Sequence, residues 1–390
     1  MNARFQPDFK TAKRHLPFDC IALVLQGGGA LGAYQAGVYE ALAEAGIHPN
    51  WVAGVSIGAI NSAIIAGNEP AQRVEKLRAF WQGITANPLL DSLVAAHSLP
   101  PKGDILRTWF NQISASYAMF AGATGFFRRR QLPPWLYPHG AVDATSFYDP
   151  SLLKQTLVRL VDFDRINAGV TRFSVGAVNI RTGNFVYFGN QQHKIGPEHV
   201  MASGSLPPGF PAVEIEGEFY WDGGLISNTP LQWVVEQGAR QDTLAFQVDL
   251  WSARGDLPRN FGDVAMRQKE IQYSSRTRAN TDQFKQQQRA RKALAKLLPK
   301  LPPDLLASEE TRMLRSLADD HMYSLVHLIY RSKRHEAHSK DYEFSRLSME
   351  EHWRAGYHDA IRTLRHPEAL QPPRNQEGVS TFDLAVDGRE

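Results

Sequence analysis

The chain has a single cysteine, no long hydrophobic run and little net charge. Cys20 stands alone among 390 residues, so an intrachain disulfide is excluded and a reducing compartment fits the composition. Without a run of about 18 apolar residues, the sequence predicts no transmembrane helix. The formal net charge of +3 does not indicate nucleic acid as a partner. Any membrane contact is therefore expected to be peripheral.

The N-terminal region also lacks the apolar segment that follows the basic residues of a secretory signal peptide. We therefore expect a cytoplasmic or peripheral membrane location. Apolar residues still make up 43% of the chain, which is enough to bury a sizeable core. The sequence shows no internal repeat and predicts no particular oligomeric state.

Short apolar strands alternate with helical segments in the first part of the chain. Residues 20–25 form a continuous apolar run that predicts a buried strand leading into a glycine cluster. Helical spacing follows as far as Gly46, which is typical of the residue after a helix end. A second strand, 51–53, precedes a sharp turn at 54–58 and an apolar helix. This order predicts an α/β fold with parallel strands, and we assign residues 18–255 to one domain.

The composition changes after this predicted domain. Residues 263–298 show a long polar helical pattern, and spaced leucines predict another helix over 309–331. A last helix is expected over 349–364. We therefore assign 256–366 to a mainly helical C-terminal extension. The remaining segment, 367–390, is rich in proline, glycine and charge and is expected to be flexible.

The turn Gly54-Val55-Ser56-Ile57-Gly58 has the G-x-S-x-G pattern of a nucleophile elbow. Such a turn holds a serine between a strand and a helix, and its glycines remove side chains that would clash. The hydroxyl then lies at a helix N-terminus, where the dipole favours a developing anion. The pattern is short, but the apolar strand before it and the helix after it are the context that it requires. Ser56 is therefore predicted to be a nucleophile.

A glycine-rich turn follows the first strand at Gly27, Gly28, Gly29 and Gly32. The pattern also fits a dinucleotide-binding turn, but such a site has an acidic residue about 20 positions later. The chain has its serine turn there instead. A second alternative is a turn that only lets the helix pack on the strand. Consecutive glycine N–H groups at a helix start can converge on one oxygen, so we favour an oxyanion hole.

A carboxylate is the predicted partner of the serine. Asp222, followed by Gly223 and Gly224, lies at the end of a strand-like segment, 214–221. A serine hydroxyl needs a base, and none of the 13 histidines lies in a recognisable motif. An α/β-hydrolase is also disfavoured because its elbow follows several strands. We therefore predict a dyad of Ser56 and Asp222, with no metal and no cofactor.

Three segments together resemble the patatin-like phospholipases: residues 27–38, 54–58 and 222–224, in this order and spacing. Residues 202–211 and 228–230 are also similar to the family's segments on either side of its aspartate. The resemblance covers about 20–250. It implies a three-layer α/β/α fold and cleavage of fatty-acyl esters in lipids through a Ser–Asp dyad and an acyl-enzyme.

The resemblance also implies roles for individual residues. Ser56 is the implied nucleophile, flanked by the motif glycines Gly54 and Gly58, and Asp222 is the implied base. The family often has a basic residue within its first motif, where this chain has Ala30-Leu31, and we expect this to alter how the glycine loop is held. The implied oxyanion donors are the backbone N–H groups of Gly27, Gly28 and Gly29, with Gly32 setting the turn.

Several questions stay open at this point. The C-terminal extension resembles one found in a bacterial subset of the family, and that resemblance supplies no function. An acyltransferase could use the same dyad with an alcohol in place of water. A non-catalytic scaffold that binds a partner through its extension is the other alternative.

An aromatic and basic stretch suggests where lipid would bind. Phe126 and Phe127 precede three arginines, 128–130, and a second apolar stretch follows at 132–137. Aromatic anchors with positive charge suit an anionic lipid surface. The alternative is an irregular insertion whose aromatic residues pack inward.

Overall fold

A central sheet of nine strands organises the protein. The computed structural model describes residues 16–86, 103–236, 240–274, 277–333, 336 and 339–384. In these residues a separate two-stranded sheet joins β3 to β4. The strands are β1 (Cys20–Leu25), β2 (Trp51–Gly54), β3 (Arg128–Arg129), β4 (Tyr148–Asp149), β5 (Arg172–Asn179), β6 (Phe185–Gly189), β7 (Val213–Ile215), β8 (Glu218–Asp222), β9 (Thr243–Asp249), β10 (Tyr323–Ile329) and β11 (Val379–Phe382).

The described residues also form thirteen α-helices and several single turns of 3-10 helix, among them Gly29–Gly32. The helices are α1 (Ala33–Glu44), α2 (Ile57–Ala66), α3 (Arg73–Ile84), α4 (Asp104–Ala121), α5 (Ser151–Leu160), α6 (Phe163–Asn167), α7 (Pro197–Ser203), α8 (Leu231–Glu236), α9 (Phe261–Tyr273), α10 (Thr277–Leu297), α11 (Pro303–Leu306), α12 (Glu309–Leu317) and α13 (Arg346–Leu364).

The sheet is parallel over most of its width. Its order is β11-β10-β9-β1-β2-β5-β8-β7, and the strands from β11 to β5 are parallel. β5 and β6 form an antiparallel pair. The single strand expected over 214–221 is instead a hairpin of β7 and β8, because Glu216 and Gly217 both have positive φ and reverse the chain.

Hydrophobic clusters cover both faces of the sheet. Side chains of β1 alternate, so that Leu23 and Leu25 join one cluster and Ala22 and Val24 join the other. The first cluster includes side chains of α1, α2 and α13, and the second includes side chains of α8 and α10. Burial on both faces is typical of a parallel sheet. The predicted α/β/α layering is confirmed.

The C-terminal part is mainly helical, as expected, but it also extends the sheet. The helix predicted over 309–331 is wrong in its second half. Helix α12 ends at Leu317, and residues 323–329 form strand β10. β10 lies between β9 and β11 and is buried along nearly its whole length. A short buried apolar run fits a strand and a helix equally well from spacing alone, which explains the wrong prediction.

The prediction of a flexible tail over 367–390 is wrong for residues 367–384, the part that the structure describes. A 3-10 turn spans Pro367–Leu370, and β11 follows as an edge strand parallel to β10. Val379 in β11 is buried, so this strand contributes to the core despite the polar composition around it. Residues 385–390 lie outside the described residues.

Two glycines let α13 lie directly against α1. A Cβ atom on Gly37 would lie 1.9 Å from the carbonyl oxygen of Trp353, and one on Gly356 would lie 2.0 Å from that of Tyr34. The Tyr34 hydroxyl also donates to Asp359 over 2.9 Å. Since α1 follows the glycine loop, this contact ties the C-terminal part to the element that starts at the predicted site.

We predict that Gly356→Ala destabilises the fold by about 3 kcal/mol or more, because the new methyl group meets backbone atoms that cannot rotate away. Gly83→Ala is the matched control, since no atom lies within 4 Å of its Cβ position in α3. That change should be neutral or stabilising by up to about 1 kcal/mol. Urea unfolding followed by tryptophan fluorescence measures both, and equal stabilities of the two variants would contradict the close helix contact.

Candidate active site

The turn after β2 places Ser56 in a strained conformation. Ser56 has φ +57° and ψ −126°, and in the described residues only Glu216 shares a positive φ among non-glycine residues. A Cβ on Gly54 would lie 2.2 Å from the carbonyl oxygen of Gly58, and one on Gly58 would lie 2.2 Å from that of Leu25. Both motif glycines are therefore needed for close backbone approach.

Ser203, at the C-terminal end of α7, fixes the serine turn from the other side. The Ser56 N–H donates to the Ser203 carbonyl over 3.0 Å and lies 3.1 Å from the Ser203 hydroxyl oxygen. That hydroxyl in turn donates to the Gly176 carbonyl of β5 over 2.6 Å. The sequence predicted no role for Ser203, although it lies in a segment that resembles the family. Its contacts hold the turn on the neighbouring strand.

Asp222 ends β8 with its carboxylate buried beside Ser56. The Gly224 N–H donates to this carboxylate over 2.7 Å, and the Ser56 side chain lies close enough to it to lower its pKa. Burial raises the pKa of Asp222 to about 7, and the interactions with Ser56 and Gly224 offset part of the rise. Gly223 also needs to be glycine, because a Cβ there would lie 2.6 Å from the Gly176 carbonyl. The structure thus brings Ser56 and Asp222 together, and burial moves the pKa of the carboxylate to near neutral pH.

The glycine loop lies against the serine, but its three glycines differ. The Gly27 N–H donates to the Asn228 carbonyl over 3.2 Å, so the donor role expected for Gly27 does not fit. A Cβ on Gly27 would lie 2.9 Å from Cβ of Ser56, which accounts for glycine there. Gly28 and Gly29 precede Leu31, the first donor of the 3-10 turn, and their N–H groups have no acceptor among the described residues.

The remaining glycine of the predicted motif, Gly32, lies between the 3-10 turn and α1. A Cβ on Gly32 would lie 2.6 Å from the side chain of Ile57 and 2.9 Å from that of Trp81. The Gly32 carbonyl accepts a hydrogen bond from the buried Asn61 side chain over 3.0 Å. Gly32 thus lets α1 begin in contact with α2, which carries the serine turn.

Buried amide side chains hold the glycine loop. Asn228 donates to the carbonyl oxygens of Gly27 and Tyr273, each over 3.0 Å. The side-chain oxygen of Gln26 accepts from the Trp251 N–H over 2.9 Å, and its amide nitrogen donates to the Tyr273 carbonyl over 3.2 Å. Sequence reasoning missed these roles, and the only signal was a polar glutamine at the end of an apolar strand. The site is therefore built partly from residues more than 200 positions away.

The stretch expected to contact lipid is partly turned inward. Phe126 and Phe127 pack in an aromatic cluster with Phe210 and Phe344. Phe127 is 7% exposed, so this pair does not form membrane anchors. The alternative of inward packing holds for these two residues.

The charges of the same stretch are also engaged. Arg128 pairs with Asp149 at 2.8 Å, and Arg130 pairs with Asp143. In the second part of the stretch Trp135 is 73% exposed. That part of the stretch and the side chain of Arg129 are exposed at the surface.

A cavity of about 380 Å³ lies beside β8 and includes Phe219 and Trp221 in its lining. Successive residues of a strand point to opposite faces, so these side chains point away from the side of Tyr220 and Asp222. Neither Ser56 nor Asp222 lines this cavity. It is therefore separate from the dyad.

Within the described residues no helix has the length and apolar character needed to cross a bilayer.

Comparison with known proteins adds a family match. Residues 23–234 match the family model described as Patatin-like phospholipase, and residues 271–376 match one described as Patatin phospholipase. The chain is 25% identical over 267 residues to patatin-like phospholipase domain-containing protein 7 of Mus musculus, covering 66% of this chain and 15% of that protein. It is 26% identical over 259 residues to lysophospholipase NTE1 of Yarrowia lipolytica, covering 66% and 14%.

The chain thus spans about 15% of the length of the curated relatives that it matches. Among solved structures, VipD from Legionella pneumophila is 14% identical, with a TM-score of 0.39 and coverage of 94% of this chain and 72% of that one.

We predict that Asp222→Asn becomes more stable relative to the wild type as the pH rises. In the wild type the folded-state pKa, about 7, exceeds the ordinary value of 3.8, so the unfolded chain releases its proton first. Stability is then full below about pH 4 and falls as the pH rises to about 7. Each pKa unit corresponds to about 1.4 kcal/mol, so the difference at pH 8 reaches up to about 4 kcal/mol.

Urea unfolding at pH 4.5 and pH 8 measures this difference. The control is Asp304→Asn, which changes an exposed carboxylate of α11. A difference between Asp222→Asn and the wild type that does not change with pH would show that burial does not raise the pKa of Asp222.

Proposed function

Because this chain belongs to the patatin-like phospholipase family, we propose that it is a serine lipid acyl hydrolase that cleaves fatty-acyl esters. The matched region, residues 23–234, holds both Ser56 and Asp222. One observation carries the proposal: a serine in a strained turn lies beside a buried carboxylate and lowers its pKa. A phospholipase A or an esterase would use such a pair.

The reaction begins when Ser56 Oγ attacks the ester carbonyl carbon. Asp222 accepts the hydroxyl proton and passes it to the leaving alcohol, which leaves an acyl-enzyme; water then repeats the steps and releases the fatty acid. An aspartate with the ordinary pKa of about 4 would be a weak base for this step. The pKa of about 7 supports the proposal because it matches the base to neutral pH.

Stabilisation of the tetrahedral intermediate is assigned to the glycine loop. Gly28 and Gly29 follow Gly27, which lies against Ser56, and their N–H groups have no acceptor among the residues that the structure describes. We assign them as the oxyanion donors and leave Gly27 out, since its N–H is already bonded. One such donor is typically worth about 3 kcal/mol of transition-state stabilisation.

The exposed face of α4 supports contact with a lipid surface. Leu106, Trp109, Ile113 and Phe120 are 57%, 65%, 39% and 66% exposed and recur at helical spacing. The guanidinium of Arg129 lies 5.3 Å from the ring centre of Phe120, so positive charge accompanies the apolar face. Apolar side chains with adjacent basic groups favour an anionic membrane interface. We propose that this face brings the dyad to aggregated lipid.

We predict that Ser56→Ala and Asp222→Asn each lose labelling by a fluorophosphonate probe and release of fatty acid from phospholipid vesicles. Ser316→Ala, at an exposed serine of α12, is the control and should keep both activities. In the wild type, kcat/KM should rise with pH and level off above about 7, because only ionised Asp222 accepts the proton.

Retained turnover in folded Ser56→Ala would rule out the assignment of the nucleophile. The same product analysis, run with added alcohol, separates hydrolysis from acyl transfer. If acyl transfer is the main reaction, an alcohol takes the place of water in the second step.

We predict that the double change Trp109→Ser and Phe120→Ser weakens sedimentation with vesicles of anionic phospholipid by at least about tenfold, because burying one such side chain contributes about 1.5–3 kcal/mol. Val170→Ser is the control, since Val170 is an exposed apolar residue at another place on the surface, 58% exposed. Turnover of a water-soluble ester should not change in either variant. Unaltered sedimentation of the double variant would exclude α4 as the lipid-binding face.

A further inference from the structure

Two adjacent ion pairs join α9 to the segment 339–345. Lys269 Nζ lies 2.8 and 2.9 Å from the two carboxylate oxygens of Asp341. The next residue on α9, Glu270, pairs with Lys340 at 3.0 Å. Each lysine is thus followed in the sequence by an acidic residue that pairs with the other lysine. We call this arrangement the crossed ion pairs. Glu270 and Lys340 have side chains that are 10% and 2% exposed, so the second pair lies inside the protein.

The segment with Asp341 lies directly on the glycine loop. The Asp341 carbonyl accepts a hydrogen bond from the Ala30 N–H over 2.8 Å. It lies so close that a Cβ on Gly29 would be 2.1 Å from the same oxygen. Gly29 has φ +55°, so its peptide groups have an orientation that other residues rarely adopt. The position of Asp341 therefore sets the position of the amides assigned to the oxyanion hole.

A second contact reaches the loop through Trp251. The Lys340 ammonium lies 4.9 Å from the ring centre of Trp251, and the Trp251 indole N–H donates to the Gly27 carbonyl over 3.0 Å. A third contact comes from the end of α9, where the Tyr273 carbonyl accepts from Asn228 over 3.0 Å. Asn228 also donates to Gly27. All three contacts depend on where α9 and the segment 339–345 lie.

The glycine loop has no basic residue of its own, so its support comes from another part of the chain. Leu31 lies in the part of the first motif where the family often has a basic residue, and here it is fully buried in the core. The basic groups that contact the supports of the loop, Lys269 and Lys340, come from the C-terminal part of the chain. Lys269 is 31% exposed and its partner Asp341 is 22% exposed, so the pair is accessible to substitution without opening the core.

We propose that the crossed ion pairs position the glycine loop for catalysis, and that Lys269 and Asp341 are positioning residues of the proposed hydrolase. The inference rests on the proposed function, since it assigns a task to that same site. The donors act on an oxygen that carries negative charge only in the transition state, so loss of their alignment lowers kcat and leaves KM nearly unchanged. The C-terminal part thus takes part in the chemistry.

The test uses the full-length chain with the variants Lys269→Met and Lys269→Arg and a water-soluble nitrophenyl ester. Lys269→Met should lower kcat at least about tenfold with KM within about twofold, because part of one donor's effect is lost. Lys269→Arg should recover most of the activity, since an arginine can pair with Asp341. Lys333→Met is the matched control, because it breaks the pair of Lys333 with Glu351 at 3.2 Å, elsewhere in the C-terminal part.

Hydrogen exchange gives a readout that does not depend on turnover. Amides in residues 27–32 should exchange faster in Lys269→Met than in the wild type or in Lys333→Met. An active wild type with unchanged kcat and unchanged exchange in folded Lys269→Met overturns the positioning role and leaves the proposed function intact. A wild type without Ser56-dependent turnover overturns the proposed function, and this inference with it.

Discussion

The arrangement of the site depends on one interaction, between the Ser56 side chain and the buried carboxylate of Asp222. Removing a carboxylate from water costs several kcal/mol unless hydrogen bonds replace its hydration. Here the Ser56 hydroxyl and the Gly224 N–H replace it in part, and the remaining penalty appears as a raised pKa. In the proposed reaction, the same penalty that weakens folding at neutral pH makes the aspartate a base of suitable strength. Under that proposal, stability and reactivity are opposed at this residue.

Bringing the two side chains together requires backbone segments that nearly touch. Gly54 and Gly58 let the serine turn close on itself, and Gly27 lets the first loop lie against Ser56. A methyl group at any of these positions would meet an atom closer than 3.0 Å. Each glycine lies in a short motif, but the close contacts join different elements, such as Gly58 at the start of α2 with Leu25 of β1. The parallel sheet supplies them because the carboxyl ends of neighbouring strands lie at one edge.

Local constraints of this kind are what a sequence shows most clearly. The sequence predicted that Ser56, Asp222 and the glycines belong to one site because each lies in a short motif whose spacing the backbone requires. β10 was missed because Leu325 and Leu328 fit helical spacing as well as a buried strand. The support from Gln26 and Tyr273 could not be found in the same way, since these residues are 247 positions apart and each has an ordinary local context. Phe126 and Phe127 misled for a related reason: composition does not say which side of a segment faces the core.

The crossed ion pairs raise the question of why charges are used where apolar contacts would hold α9 equally well. A partly exposed pair such as Lys269 with Asp341 adds little to stability, since ion pairs at the surface contribute at most about 1 kcal/mol. A buried pair such as Glu270 with Lys340 is often no better for stability than a hydrophobic pair of similar volume. Charges define the register of α9 against the segment 339–345. Lys269 can pair with Asp341 but not with Lys340, and Glu270 can pair with Lys340 but not with Asp341. A slip by one residue would place like charges together. Register matters here because the Asp341 carbonyl must face the Ala30 N–H, so the ion pairs suit a task of positioning better than one of stabilisation.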